Sequence, residues 1–107
     1  MKQYTVVLTP EAEEQPAELY GYIADRATDT TALRYTTAVV DYCAKLKDFP
    51  HRGTQRDDIR PGLRITSFKK NTVIAFSVNQ TLALVTVIGI FHGGRNIVAA
   101  LQAPGTS

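Results

Sequence analysis

The residues best suited to chemistry lie in the second half of the chain, where a histidine and an arginine follow a long apolar segment. His92 and Arg95 stand in residues 89–96 (GIFHGGRN), and Arg64 precedes them. Acid–base chemistry without a metal needs a group that takes a proton, a group that gives one back, and cations that stabilise the negative charge that develops. His92 could be the acid or base, and Arg64 and Arg95 could clamp phosphate oxygens with their planar guanidinium groups.

Positive charge is concentrated in the same half. Residues 1–44 hold seven acids and three bases, whereas residues 45–107 hold nine bases and three acids, with no acid after Asp58. Such a basic half indicates an acidic partner or a phosphate backbone, although a solvated face without a partner has the same composition. We expect the target-binding residues to be the bases at one end of the predicted sheet: Arg60, Arg64, Lys69, Lys70 and Arg95.

The single cysteine, Cys43, lies on the apolar face of a predicted helix, which indicates a buried structural thiol rather than a nucleophile. One cysteine forms neither an internal disulfide nor a cysteine-based metal cluster. We therefore expect no metal, no cofactor and a cytoplasmic setting. No apolar stretch reaches the ~18 residues of a membrane span, so no membrane partner is expected.

The first half predicts a strand and two helices. Residues 3–8 are β-branched and aromatic and predict a strand. Thr9 and Pro10 suit the N-cap and first position of a helix, which we expect to kink at Pro16 rather than to begin there. Capping residues at 29–31 predict a second helix that ends near Phe49. The two helices should pack as an antiparallel hairpin.

The second half predicts a loop and three strands. Residues 50–62 read as a loop, and residues 63–69, 72–79 and 82–91 as an antiparallel meander. The last strand is apolar on both faces, with Leu84, Ile88 and Ile90 expected on one and Val85, Val87 and Phe91 on the other, so it should be central. What covers the face away from the helices, and where the first strand joins, are left open. Residues 97–101 predict a short helical turn and 103–107 a frayed tail. The fold class is α+β, and 107 residues suit one domain.

Three short pieces occur in a recognisable order: residues 49–53 (FPHRG), 60–64 (RPGLR) and 88–95 (IGIFHGGR). In this order the chain resembles the ParE-like toxins of the RelE/ParE superfamily over nearly its whole length. The resemblance implies a bacterial type II toxin–antitoxin system. Its toxin inhibits DNA gyrase, stalling it on cleaved DNA, and is neutralised in a hetero-oligomer with a small ParD-like antitoxin whose contact residues are unknown.

Two other functions stay open. Relatives of the RelE type cut mRNA in the ribosome, and for that activity His92, Arg64 and Arg95 would be catalytic. That branch typically carries a tyrosine or a denser acid–base set near the last strand, whereas here Phe91 precedes His92 and every tyrosine lies in the first 42 residues. We therefore expect no catalytic residue. The third possibility is a non-toxic member that binds its antitoxin and regulates its operon.

Overall fold

A short strand and two helices open the computed structural model, which describes residues 3–92 and Leu101. The elements are β1 (Thr5–Leu8), α1 (Pro10–Arg26), α2 (Asp29–Ala44) and a 3-10 turn (Lys45–Lys47), followed by β2 (Thr54–Gln55), β3 (Leu63–Phe68), β4 (Thr72–Asn79) and β5 (Leu84–His92). The predicted α+β class and the helical pair are confirmed. Of the predicted C-terminal turn, only Leu101 is among the described residues.

The start of α1 is fixed by Thr9, as its residue type predicts. The Thr9 hydroxyl accepts a hydrogen bond from the Ala12 amide at 3.2 Å and donates one to the Ile88 carbonyl at 3.1 Å. This cap satisfies one amide of the first turn and also ties the helix to β5. The helix runs on through Pro16 to Arg26, so it does not begin at that proline. The second helix is capped by Thr28, one residue before the predicted capping segment.

The five strands form one sheet in the order β1-β5-β4-β3-β2. β1 pairs with β5 in parallel, and the other neighbouring pairs are antiparallel. The first strand, which the sequence left unplaced, is therefore an edge strand beside the last one. β2 was not predicted, because its two residues are too few to show a periodicity inside a polar loop.

A β-bulge in β5 overturns the predicted faces of that strand. Ala75 pairs with Gly89 while the next residue, Phe76, pairs with Val87, so Ile88 is an extra residue in β5. A bulge shifts the alternation of side chains by one position. As a result Val85, Val87 and Ile90 share the core beneath the helices, whereas Ile88 and Phe91 pack on the other face. The predicted grouping of Ile88 with Ile90, and of Val87 with Phe91, is wrong.

The core has two layers, one on each side of the sheet. The larger layer lies between the sheet and the helices and contains Leu19, Leu46 and Phe76. The smaller layer, on the opposite face, contains Leu63, Ala75, Phe91 and Leu101, with Ile59 packed against it. Part of the face whose cover was left open is thus covered by Ile59, from the loop before β3, and by Leu101. β5 is buried from both sides, as its composition predicts.

Candidate functional surfaces

Arg64, near the start of β3, holds the loop that precedes β2. Its Nε donates a hydrogen bond to the Arg52 carbonyl at 3.1 Å, and its Nη2 donates to the carbonyls of His51 and of Gly53, the latter at 3.3 Å. The guanidinium therefore points to these backbone carbonyls and not to the glutamates of α1. A direct contact between Arg64 and a target stays a prediction.

The loop that Arg64 holds presents an aromatic and basic cluster that the sequence did not reveal. The Arg52 guanidinium lies 4.9 Å from the Tyr42 ring centroid and 5.0 Å from that of Phe49. The His51 ring nitrogen is 2.9 Å from the Gln80 side-chain nitrogen, which joins the loop to the turn between β4 and β5. The longest of these contacts joins His51 to Gln80, 29 positions further along the chain, so no local pattern predicts it.

Arg60 likewise has a structural contact. Its Nη2 donates a hydrogen bond to the Leu101 carbonyl at 3.0 Å. Leu101 is 3% exposed and packs on the smaller core layer. Arg60 therefore fixes the last described residue over the sheet. This structural contact was not part of the prediction that Arg60 binds the target.

The predicted basic residues do not form one cluster. Lys69 and Lys70 are exposed in the turn between β3 and β4, at the opposite end of β3 from Arg64. Five residues of strand at 3.3 Å each separate Arg64 from Lys69 by about 17 Å. Lys69 has a φ of 57°, and its ammonium lies 5.8 Å from the Phe68 ring centroid. Arg95 and the glycine pair before it lie outside the described residues.

His92, the last residue of β5, lies against a cavity of about 260 Å³ between the helices and the sheet. Its ring meets the Tyr22 ring edge-on, with the centroids 4.5 Å apart. The Tyr35 hydroxyl and the Thr72 hydroxyl are hydrogen-bonded at 2.7 Å. The full lining, which we call the His92 cavity, is Leu19, Tyr22, Ile23, Tyr35, Asn71, Thr72 and His92.

Because every tyrosine lies in the first 42 residues, the sequence indicated that none lies near the last strand, and this cavity shows that this inference is wrong. Tyr22 and Tyr35 lie far from His92 along the chain, but the helical hairpin packs both of them near the end of β5. The helical spacing of Leu19 and Ile23 indicates a buried face on α1. Which strand that face meets depends on the tertiary fold and is not visible in the periodicity.

The sheet face opposite the helices carries uncharged side chains in two cross-strand rows. Paired residues of neighbouring strands share a face, so the register defines each row. One row is Val7, Thr86, Ser77 and Leu63, and the other is Phe91, Val73 and Ser67. Neither row offers a group that exchanges protons near neutral pH. Among the described residues, these two rows therefore lack the parts of a metal-free ribonuclease site.

A second cavity, of about 390 Å³, runs between β1 and the C-terminal half of α2. We call it the β1–α2 groove. Its lining is mostly apolar and includes Val6, Leu8, Val40 and Ile90, with Lys47 at one end. Val40 is 43% exposed, which is high for a valine next to a core. β1 pairs only with β5 among the described strands, so its outer edge is open beside this groove.

Cys43 is buried at 2% exposure, as predicted from its helical face. Burial raises the pKa of its thiol from 9.0 to about 11, because the apolar surroundings disfavour the thiolate. Cys43 lies on the wall of the β1–α2 groove but contributes packing there rather than a reactive sulfur.

We expect Cys43 to react with a thiol reagent such as DTNB on the order of 100-fold more slowly than free cysteine at pH 7.5, because the thiolate is the attacking form. Unfolding in urea should restore the full rate. Since the pKa is raised on folding, stability should be constant below about pH 9 and fall as the pH rises toward about 11. Rapid labelling of the native protein would contradict the buried assignment.

Neither a metal site nor a membrane span is seen in the described part of the chain. Residues 3–92 and Leu101 contain no group of three or more histidine, cysteine, aspartate or glutamate side chains placed to hold a metal ion. None of their helices combines the length and the apolar character needed to cross a membrane.

The fold is similar to two solved toxin–antitoxin structures. A chain of the chromosomal ParDE system from P. aeruginosa superposes with a TM-score of 0.72 at 16% identity, over 84% of this chain and 96% of that one. A chain of the RelBE2 toxin–antitoxin complex from Mycobacterium tuberculosis gives 0.61 at 18% identity, over 86% of this chain and all of the other, 100%. At these identities the likeness establishes the fold alone, which this chain shares with both of those chains.

The family follows from the sequence match. Residues 6–97 match the family described as the ParE toxin of the type II toxin–antitoxin system parDE. Because the match spans most of the chain, this protein belongs to the ParE toxin family. No curated protein sequence matches it significantly.

Proposed function

We propose that this protein is a cytoplasmic toxin that inhibits DNA gyrase by binding and is neutralised by a ParD-like antitoxin. Membership of the ParE family is the observation that carries the proposal. The two uncharged cross-strand rows of the sheet support it, because a protein that traps another enzyme needs a complementary surface and no general base.

The proposed target surface uses the exposed cations rather than the anchored ones. Lys69 and Lys70 are exposed, whereas the guanidinium groups of Arg60 and Arg64 donate hydrogen bonds to backbone carbonyls. Exposed cations steer a protein toward an acidic face or toward DNA. We therefore expect Lys69, Lys70 and Arg95 to contact the target, and Arg60 and Arg64 to contribute chiefly by holding the adjoining segments.

The test is DNA supercoiling by purified gyrase in the presence of the full-length toxin. We expect loss of supercoiling and accumulation of cleaved DNA, and an inhibition at least about 10-fold weaker for the double variant Lys69→Ala, Lys70→Ala. A matched control is Lys45→Ala with Lys47→Ala, which removes the same charge from two exposed positions of the 3-10 turn after α2. Normal supercoiling at saturating toxin would overturn the gyrase proposal.

One observation favours a second candidate, an mRNA endonuclease of the RelE type. His92 lies against Tyr22 and lines a cavity with Tyr35, so acid–base side chains do meet at the end of β5. If translating ribosomes lose mRNA integrity while supercoiling is unaffected, the ribonuclease is correct, and His92→Gln should then abolish cleavage without unfolding the protein. A chain that binds antitoxin but has neither activity would be the regulatory member.

For the antitoxin, we propose that an amphipathic segment of a ParD-like partner packs its apolar side chains into the β1–α2 groove. The groove is apolar, borders the open edge of β1 and ends at Lys47, which suits an acidic segment. The similar solved structures are toxin–antitoxin systems, which supports a partner of this kind.

Replacing Val40 by glutamate places a charge in the middle of this groove and should weaken antitoxin binding at least about 100-fold, measured by calorimetry with the co-expressed antitoxin. Because Val40 is 43% exposed, the fold should tolerate the change. Ala17→Glu introduces the same charge at an exposed position of α1 and should leave the affinity unchanged. Equal affinity for both variants would place the antitoxin elsewhere.

A further inference from the structure

We propose that the His92 cavity binds one unpaired nucleotide, with the base inside and the phosphate at the basic rim. This inference rests on the proposed function in one respect, since a toxin that stalls gyrase on cleaved DNA would meet unpaired nucleotides there.

The mouth of the cavity contains a stacking surface. Tyr22 is 37% exposed, and the Arg26 guanidinium lies 3.8 Å from the centroid of its ring. The ring therefore already accepts a flat group by stacking, from a side chain that is itself exposed. An entering base would take the place of this guanidinium, which would then be available to the phosphate. Stacking on aromatic rings is the main way proteins hold unpaired bases.

The interior suits a base in size and in polarity. Its volume of about 260 Å³ is below the roughly 300–1,000 Å³ of pockets that hold drug-sized ligands, so it has room for one ring system. Leu19 and Ile23 form apolar walls. The exposed Asn71 amide both donates and accepts hydrogen bonds, and the Tyr35–Thr72 hydroxyl pair keeps one O–H for a further acceptor. These groups are better suited to binding the edge of a base than to binding an aliphatic side chain.

The surrounding charge favours a phosphate. Arg26 stacks on Tyr22 of the lining, and the exposed Lys69 and Lys70 directly precede Asn71 of the lining. The seven lining residues include no carboxylate. Asp25 and Glu18 of α1 are exposed outside that lining. A cationic rim around an aromatic and amide interior is the combination found in single-strand binding sites.

The experiment measures binding of fluorescein-labelled pentathymidylate to the full-length toxin by anisotropy, in the absence of gyrase and ribosomes. We expect Tyr22→Leu and Asn71→Ala each to weaken binding at least about 5-fold at 100 mM salt, and Lys45→Ala, at an exposed lysine that lines neither cavity, to change it less than about 2-fold. A blunt DNA duplex should bind more weakly than the single strand, because its bases are not available for stacking.

The proposal is overturned if Tyr22→Leu binds as tightly as the wild type, if the duplex binds as well as the single strand, or if a glutamate-rich peptide of equal charge competes equally well, since each would indicate charge alone. Circular dichroism of every variant distinguishes misfolding from a loss of binding by a folded protein. Oligonucleotide binding without any effect on supercoiling would contradict the gyrase proposal and support the nucleotide site. Inhibition of supercoiling without oligonucleotide binding would support the gyrase proposal and contradict the nucleotide site.

Discussion

Replacing Arg64 by alanine should lower the free energy of unfolding by about 2 kcal/mol and the melting temperature by about 10 °C. The side chain donates hydrogen bonds to the carbonyls of residues 51–53, and hydrogen bonds from a charged donor contribute about 1.5–3 kcal/mol each when they are well formed. The loss stays near the lower end of this range because part of this guanidinium is exposed to water. Urea and thermal unfolding measure the change.

Two further variants show whether the fork geometry is responsible. Arg64→Lys keeps the charge but presents a single ammonium, so we expect it to recover less than half of the loss. Arg34→Ala removes an exposed arginine from α2 and should change stability by less than about 0.5 kcal/mol. If Arg64→Ala is as stable as the wild type but no longer inhibits the target, Arg64 is a target contact and not a clamp on the loop.

Replacing Gly53 by alanine should be more damaging still, with a loss of about 3 kcal/mol or more. Gly53 has a φ of +84°, which costs other L-residues roughly 1–2 kcal/mol. A Cβ there would also lie 2.4 Å from the Ile65 carbonyl oxygen, and this oxygen belongs to β3, which cannot retreat without disturbing its pairing with β4. The loop can approach β3 only because this position has no side chain.

Gly62 provides the matched control. Its φ of +79° is nearly the same, but a Cβ at Gly62 would have no neighbour within 4 Å. Gly62→Ala should therefore lower the free energy of unfolding only by the strain of a positive φ, about 1 kcal/mol. The difference between the two alanine variants, read from urea unfolding, isolates the contact with β3. Equal losses at both positions would show that the loop moves away and that its close approach contributes little.

The local features of this fold could be predicted from the sequence because each depends on neighbouring residues. The Thr9 cap, the run of strands after residue 62 and the burial of Cys43 follow from residue type and spacing. The bulge at Ile88 could not be predicted, because a continuous apolar strand has no polar residue to mark a shift in alternation. β2 was missed because two residues are too short to carry a period.

The candidate site was harder to predict because its residues meet only in the folded chain. The basic residues were selected for their charge alone. Two of them, Arg60 and Arg64, bind backbone carbonyls, and no sequence pattern predicts these contacts. The tyrosines near His92 were dismissed on sequence distance, although helix packing brings the Tyr22 ring centroid to 4.5 Å from that of His92 and places Tyr35 in the same cavity. Charge and motif therefore located the basic half of the chain but did not assign the role of each residue in it.

The parallel pairing of β1 with β5 has a consequence for how this toxin matures on the ribosome. The Thr9 cap bonds to Ile88, 79 residues further along the chain. β1 therefore cannot join the sheet, nor can α1 dock through its cap, until the last strand has left the exit tunnel. Until then the apolar faces of the nascent hairpin stay uncovered. The molecule can therefore assume its final form only after β5 has left the exit tunnel, so a partner that recognises the folded sheet can meet it only after that point.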